Sequence, residues 1–356
     1  GVAVVALPLV FAFKLERPWL MWVTIVTGLL VGIIIGKATE YYTSHDFKPT
    51  QAIVEQGQSG PATVIIQGLS VGMRSTAVPV ITIAIGIAIA FYFSGGAANT
   101  LMGLYGVGLA AVAMLSTLGI TLATDAYGPI ADNAGGNAEM AGLPPEVRKR
   151  TDELDAVGNT TAATGKGFAI GSTALTALAL VAAYLEEIRF SMLHLRGLES
   201  VSIRGTMVAV ETMTMKDFMT YYDFTLLNPA VLIGIFIGSM TVFFFSAMTM
   251  SAVGRAAGAM VLEVRRQFRE LPGIMDGSST PDYARCVEIS TKGAQKEMIA
   301  PAALAITIPV VVGVLFGVAG VLGLLTGGLS TGFVMAVMMA NSGGAWDNAK
   351  KYIEKG

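Results

Sequence analysis

Four polar, glycine-rich stretches of the sequence carry the side chains whose types could do chemistry. The stretches are residues 123–140, 151–172, 263–298 and 341–354. Each presents carboxylate or carboxamide oxygens, and two of them place a lysine beside those oxygens. Such oxygens suit a hard cation such as Mg²⁺, and lysine ammonium groups bind phosphate as compact point charges. The residue types therefore predict a site for a metal–phosphate substrate.

Helical spacing would place the candidate side chains of each stretch on one face. Intervals of four, three and four residues align four positions of the second stretch on one face, namely Asp155, Asn159, Ala162 and Lys166. Seven-residue intervals align Asp125 with Asp132 and Glu139 in the first stretch. In the fourth stretch, Asp347 and Lys350 are three residues apart and would be neighbours on a helix. The elements that must position these groups are therefore helices.

The same charges have a second interpretation, in which they form ion pairs at helix ends or extend to the membrane surface. This interpretation best fits the side chains near helix ends, namely Lys351, Glu354 and the cluster 148–150. A solvated, lipid-facing position is the default for the basic run Arg265, Arg266 and Arg269. In contrast, Asp132, Lys166 and Asp347 lie among apolar or glycine neighbours and are expected to be kept from water, where charges are usually functional.

Three other features of the sequence do not indicate a functional site. The segment 158–167 resembles a nucleotide P-loop, but Thr160 stands where that motif requires its first glycine. His45 and His194 are far apart and lack the spacing of metal ligands. Cys286 is the only cysteine, which excludes an internal disulfide and a cysteine metal framework.

The composition is that of a protein embedded in a membrane. Apolar residues make up 53% of the 356 residues and charged residues only 13%, whereas a soluble globular chain carries about 25% charged residues. The abundance of apolar residues also excludes a disordered chain. With a net charge of −2, the chain lacks the basic footprint of a nucleic-acid-binding protein.

The apolar runs predict an all-α polytopic membrane protein, because an open sheet leaves its backbone unpaired in lipid. We expect a single transmembrane helical bundle over 1–356, part of a larger domain, with one partial helix and about seven fuller ones. The expected spans are 2–13, 19–38, 76–94, 104–133, 156–185, 226–254, 299–323 and 331–352. Because the chain begins within an apolar run and without Met, we expect it to be an internal piece of a longer protein.

The basic residues assign the loops to sides. Seventeen of the 23 lysines and arginines fall at the helix ends that also carry the four polar stretches. Positive residues favour the cytoplasm, so the candidate site is expected on the cytoplasmic face of an integral, multi-pass membrane protein.

The motifs closely resemble those of the membrane-integral pyrophosphatases, over essentially the whole chain and in order. The matching stretches are ATDAYGPIADNAGGNAEM, RTDELDAVGNTTAATGKGFAIGS, EVRRQFRELPGIM with PDYARCVEIST, and MMANSGGAWDNAKKYIE. The resemblance implies a sixteen-helix fold, a homodimer in the lipid bilayer, and Mg²⁺-dependent hydrolysis of pyrophosphate coupled to pumping of H⁺ or Na⁺.

The resemblance also implies roles for individual residues. Positions that match Mg²⁺ ligands are Asp132, Asn159 and Asp347, and those that match lysines contacting pyrophosphate are Lys166 and Lys350. Ala162 matches the position that separates K⁺-dependent from K⁺-independent members, and alanine there implies stimulation by K⁺. Asp125 and Asp155 are further candidates at the same site.

The resemblance leaves the catalytic carboxylates outside this sequence. The groups that activate the attacking water belong to family segments that the sequence does not contain, so the chain alone is expected to be inactive and its pumped ion undecided. A secondary transporter without hydrolase activity is the alternative, although its usual inverted repeats are not found here. A structural membrane subunit would not need buried Asp and Lys.

Overall fold

The protein is almost entirely helical. The computed structural model describes residues 1–13 and 17–354, without the side chains at positions 124, 125 and 159. The α-helices of this part of the chain are α1 (Val2–Ala12), α2 (Pro18–Thr43), α3 (Lys48–Gln56), α4 (Pro61–Ser75), α5 (Ala77–Phe93), α6 (Thr100–Leu115), α7 (Leu118–Met140), α8 (Pro145–Phe190), α9 (Met215–Tyr221), α10 (Pro229–Glu270) and α11 (Tyr283–Glu354). A single antiparallel pair joins β1 (Ser200–Ile203) to β2 (Thr206–Ala209).

The helices have the lengths of a multi-pass membrane protein. Five helical stretches of the described residues are long and apolar enough to cross a membrane, and α6 with α7 makes a sixth if this pair, bent by 47°, is one span. The expected span 104–133 therefore falls on two helices. The expected spans 299–323 and 331–352 both fall within α11. The fold class is all-α and polytopic, as predicted.

α11 is interrupted at Gly317, where φ is 63° and ψ is −161°. A Cβ added to Gly313 would lie 3.3 Å from the side chain of Val321. Residues on either side of the interruption thus face each other, and the chain turns back on itself. The expected spans 299–323 and 331–352 leave a gap at 324–330, but those residues are helical and the interruption lies seven residues before them.

By packing, the chain divides into two units, of which the first comprises Gly1–Tyr221 and Phe333–Gly356. Its main core joins α2, α5, α6 and α8 through fully buried apolar side chains, including Ile35, Val107, Met114 and Leu175. Gly28 lets α2 approach α6 so closely that an added Cβ would overlap the carbonyl of Ala110. Small residues at such contacts are how helices pack closely in lipid.

A second cluster of the first unit brings the end of α11 against α3 and α4. Its buried apolar members are Ile53, Val71, Ala345 and Ala349. Polar bonds accompany this packing. The Asn341 Nδ2 atom donates to Ser75 Oγ (2.8 Å), and the Trp346 Nε1 atom donates to the carbonyl of Val64 (3.0 Å).

The segment that follows β2 contacts the far end of α8 in the same unit. Arg189, near the end of α8, donates to the carbonyls of Glu211 (3.2 Å) and Met213 (2.5 Å). Its guanidinium also lies 5.2 Å from the ring centre of Phe218, a buried residue of α9. One arginine therefore ties the segment after β2 to the helix that carries the second polar stretch.

The second unit, Tyr222–Gly332, is built on α10 and the first part of α11. Glycines form its closest contacts, since a Cβ at Gly323 or Gly327 would overlap the backbone of α10 at Val231 or Ile235. The Thr331 hydroxyl donates to Ser239 (2.9 Å). Close backbone approach thus joins these helices, with a hydroxyl pair beside it.

The basic run of α10 departs in part from its expected solvated position. Arg266 forms ion pairs with Glu263 (2.6 Å) and Glu270 (2.5 Å), each within one helical turn. Arg265 and Arg269 are exposed, as expected. Arg266 differs because both carboxylates lie on its own face of the helix, at i−3 and i+4.

Candidate functional site

α8 is the central element of the candidate site, because it contacts three other helices of the first unit. Gly158 approaches α7, and a Cβ added there would lie 2.8 Å from Gly128 Cα. Gly167 approaches α2, where an added Cβ would lie 2.7 Å from Thr39 Oγ1. Ala163 approaches the end of α11, at Gly344. The second polar stretch thus lies where four helices of the first unit meet.

The predicted acidic face of α7 borders α8. Glu139 of that face pairs with Arg148 of α8 (Oε2–Nη1 2.9 Å). Asp132 is seven residues before Glu139 and therefore occupies the same face, two turns along the helix. Asp125 belongs to the same series, but its side chain lies outside the described residues.

The predicted polar face of α8 lies between α7 and α11. Ala162 is half-buried, and its Cβ is 3.5 Å from the position that a Cβ on Gly128 of α7 would take. Asp155, on the same face, forms an ion pair with Lys351 of α11. Lys166 follows Ala162 by four residues and occupies the next turn of this face. The face is thus bordered by the two helices that carry the other candidate ligands.

A buried carboxamide fixes α11 against α8 and α2. The Asn348 Nδ2 atom donates to the carbonyl of Thr43 (2.7 Å) and to Thr160 Oγ1 (3.0 Å). Next to this bond, a Cβ on Gly344 would lie 3.1 Å from Ala163 Cβ. The fourth polar stretch therefore runs antiparallel to the second, in direct contact with it.

Exposure corrects one expectation about the candidate residues. Asp132 and Lys166 are exposed on the first unit, although their apolar and glycine neighbours predicted that they would be kept from water. Residues adjacent in sequence lie on other faces of a helix and therefore do not cover them. Asp347 is half-buried. The Lys350 side chain is 67% exposed, with its Nζ atom 3.7 Å from Glu354.

Asp155 and Lys351 form a buried pair, as the ion-pair interpretation of Lys351 predicted. Their side chains are only 8% and 13% exposed. Breaking a buried pair by removing one partner leaves an uncompensated charge and costs about 3–5 kcal/mol. The Asp155 Oδ1 atom is buried and lacks a hydrogen-bond partner within the described part of the chain. Among the described residues, Asp155 thus has one oxygen engaged with Lys351 and one oxygen without a partner.

The described residues contain no group of three or more His, Cys, Asp or Glu side chains that could hold a metal ion by themselves. Mg²⁺ does not require such a group, since it is commonly bound by one or two carboxylates, water and substrate phosphates. Carboxylates on α7 and α11, at Asp132 and Asp347, fit that manner of binding. The Asn159 side chain, predicted as a third ligand, lies outside the described residues.

The two histidines join no site among the described residues. His45 lies 3.5 Å from Asp46, and the ring of His194 stacks on Phe190 at 4.3 Å. Sequence reasoning missed Asn348 and Thr160 as structural partners. A signal was available, because Asn341 and Asn348 are amides seven residues apart and share one face of an apolar helix.

Comparison with known proteins identifies a family and several relatives that the chain resembles. The sequence profile of the family described as inorganic H⁺ pyrophosphatase matches residues 1–356. A relative from Thermotoga maritima, named a K⁺-stimulated pyrophosphate-energized sodium pump, is 45% identical over 97% of this chain and 43% of its own length. A Bacteroides thetaiotaomicron relative that carries that name provisionally is 61% identical over 100% of this chain and 49% of its own length.

The relatives differ in their named ion and in their response to K⁺. A protein from Methanosarcina mazei, named a K⁺-insensitive pyrophosphate-energized proton pump, is 50% identical over 93% of this chain and 45% of its own length. The chain thus spans about half the length of these relatives. With the family profile matched from end to end, this integral, multi-pass membrane chain belongs to the inorganic H⁺ pyrophosphatase family.

Proposed function

We propose that this chain forms part of a membrane enzyme that hydrolyses inorganic pyrophosphate and couples the reaction to pumping of H⁺ or Na⁺. The observation that carries the proposal is the antiparallel contact between α8 and the end of α11. It brings the helix with Asn159, Ala162 and Lys166 against the helix with Asp347 and Lys350, while α7 adds Asp132 beside α8. Family membership supports the same reaction.

The proposed role of each residue follows from its charge. Pyrophosphate is a dense anion, so its binding requires positive charge that is fixed in place. Lys166 and Lys350 are the lysines proposed to contact it, and both have exposed side chains that can reach a ligand. Asp132, Asn159 and Asp347 would hold Mg²⁺. When bound, that ion neutralises charge on the phosphate oxygens and on the leaving phosphate.

Stimulation by K⁺, assembly as a homodimer and a cytoplasmic position of the site belong to the same proposal. Ala162 is too small to bring a charge of its own, so a bound K⁺ can supply it. The Thermotoga relative's name includes stimulation by K⁺. The excess of lysine and arginine at these helix ends supports the cytoplasmic side.

The test uses the full-length protein, that is, this chain within a polypeptide of its relatives' length. Lys166→Ala and Asp347→Ala should each lower Mg²⁺-dependent phosphate release in detergent by about a hundredfold or more, because each removes a charge that acts on the reacting phosphates. Lys292→Ala is the matched control, since this exposed lysine of α11 lies in the second unit and pairs there with Glu288. Normal turnover in Lys166→Ala or Asp347→Ala would refute the proposed site.

Sealed vesicles test the coupling. Addition of pyrophosphate should acidify the lumen, reported by a pH dye, or drive uptake of Na⁺ when that ion is present. Phosphate release without movement of either ion would show a hydrolase without a pump. Transport without phosphate release would favour the secondary transporter.

A further inference from the structure

Asn348 is a fully enclosed polar side chain of the fourth polar stretch. It is 1% exposed, although it lies between Asp347 and Lys350, which are proposed to meet the substrate. Burying a carboxamide without hydrogen bonds costs free energy, so its partners matter. Both bonds reported above come from its Nδ2 atom, which carries two hydrogens and can serve Thr43 and Thr160 at once.

Each of these bonds fixes a different helix. Thr43 is the last residue of α2, and a carbonyl at a helix end has no partner within its own helix. Asn348 therefore closes the end of α2. Thr160 lies directly after Asn159 on α8, so the second bond ties α11 to the turn that carries a proposed Mg²⁺ ligand.

Two further contacts also join α11 to α8, one on each side of Asn348. On one side of Asn348, Gly344 meets Ala163. On the other side, Lys351 pairs with Asp155. The contacts occur in reverse order on the two helices, so they fix both the rotation and the axial position of α11 against α8. Slipping by one residue would move a helix by about 1.5 Å and rotate it by about 100°.

We infer that Asn348 is a positioning residue of the pyrophosphate site. Its carboxamide holds Asp347 and Lys350 in register with Asn159, Ala162 and Lys166, and it touches neither metal nor substrate. The inference rests on the proposed function, because register matters to catalysis only if these two helices share one substrate. A misplacement of about 1 Å is enough to cost about a hundredfold in rate.

The test compares two buried asparagines of the same helix in the full-length protein. Asn348→Ala removes both bonds, and Asn341→Ala is its control, because Asn341 is equally buried and bonds to Ser75 on α4, away from α8. Both variants should lower the unfolding temperature in detergent. Only Asn348→Ala should raise the half-saturating concentrations of Mg²⁺ and pyrophosphate, by about tenfold, and lower kcat by about tenfold or more.

A second variant removes the acceptor alone. Thr160→Val keeps the shape of the side chain and deletes the hydroxyl that Asn348 reaches, and it should reproduce part of the shift in half-saturation. Thr164→Val is its control, since the bond of the Thr164 hydroxyl lies within α8, to the carbonyl of Thr160 (2.9 Å). The double variant Asn348→Ala/Thr160→Val should show less than the combined effect of the single changes, because the two residues share one bond.

The outcomes separate this inference from the proposed function. If Asn348→Ala changes half-saturation no more than Asn341→Ala does, Asn348 is a packing residue and the inference is overturned while hydrolysis stands. If the unaltered protein releases no phosphate from Mg²⁺–pyrophosphate, the proposed function fails first. If the effects of Asn348→Ala and Thr160→Val simply add, the bond between them is not what holds the register.

Discussion

Position 162 is the residue at which a single side chain is expected to change the ion requirement. Ala162→Lys in the full-length protein should abolish most of the stimulation by K⁺ and raise phosphate release in its absence, because a lysine ammonium supplies a fixed charge. Ala162 is half-buried and lies beside Gly128 of α7. The measurement is phosphate release with K⁺ varied at constant ionic strength. Ala259→Lys, at an exposed position of α10, is the control.

Unchanged K⁺ dependence in Ala162→Lys would remove this residue from the proposed site. The position of Ala162 and Lys166 on one helix could be predicted because their spacing is helical, and their roles at the site stay predictions. The role of Asn348 could not, because a carboxamide has no preferred function until its neighbours are known. Burial of Asp132 and Lys166 was expected and not found, since apolar residues adjacent in sequence lie on other faces of the same helix.

Between elements, the contact of α7 with α8 depends on two glycines. Gly158→Ala would place a Cβ 2.8 Å from Gly128 Cα, so the two backbones must move apart. Overpacking of this kind costs about 1–3 kcal/mol, and the shift would also move the neighbouring Asn159. We expect a lower unfolding temperature and a loss of phosphate release at saturating Mg²⁺.

Gly136→Ala provides the matched control for this contact. Gly136 is a glycine of α7, and a Cβ added to it meets no atom within 4 Å. This variant should keep its activity and its unfolding temperature. Equal losses in Gly136→Ala and Gly158→Ala would mean that any alanine harms these helices, and the close approach would not be the cause.

Helices were easier to predict than their ends. Long apolar runs indicate spans directly, because about 20 such residues are needed to cross the hydrocarbon core. The bend after α6 was missed, since Ser116 and Thr117 interrupt the helix without a proline or a charge to mark the break. The short α3 was missed as well, because its nine residues pack on their neighbours without forming an apolar run.

For the whole molecule, the dimension of the bilayer limits how the chain can fold. A straight helix of 72 residues would extend about 108 Å, against a hydrocarbon core of about 30 Å. α11 has that number of residues, and the reversal at Gly317 divides it into parts of about 50–55 Å. One glycine conformation therefore divides α11 at a point between the two ends of the chain segment for which two spans were expected. The composition predicted a membrane protein, but it does not indicate the backbone conformation of a single glycine.

Gly317→Ala should consequently destabilise the protein through its backbone alone. The conformation at φ 63° and ψ −161° is essentially restricted to glycine, and a residue held there costs about 1–3 kcal/mol. A Cβ at this position meets no atom within 4 Å, so steric contact with neighbours does not contribute.

Gly254→Ala in α10 is the control, because it also has open space and an ordinary helical backbone. That change should be neutral or stabilising by about 0.5–1 kcal/mol, since alanine favours a helix. Thermal unfolding of the two variants in detergent compares them directly, and equal unfolding temperatures would show that α11 does not depend on the turn at Gly317.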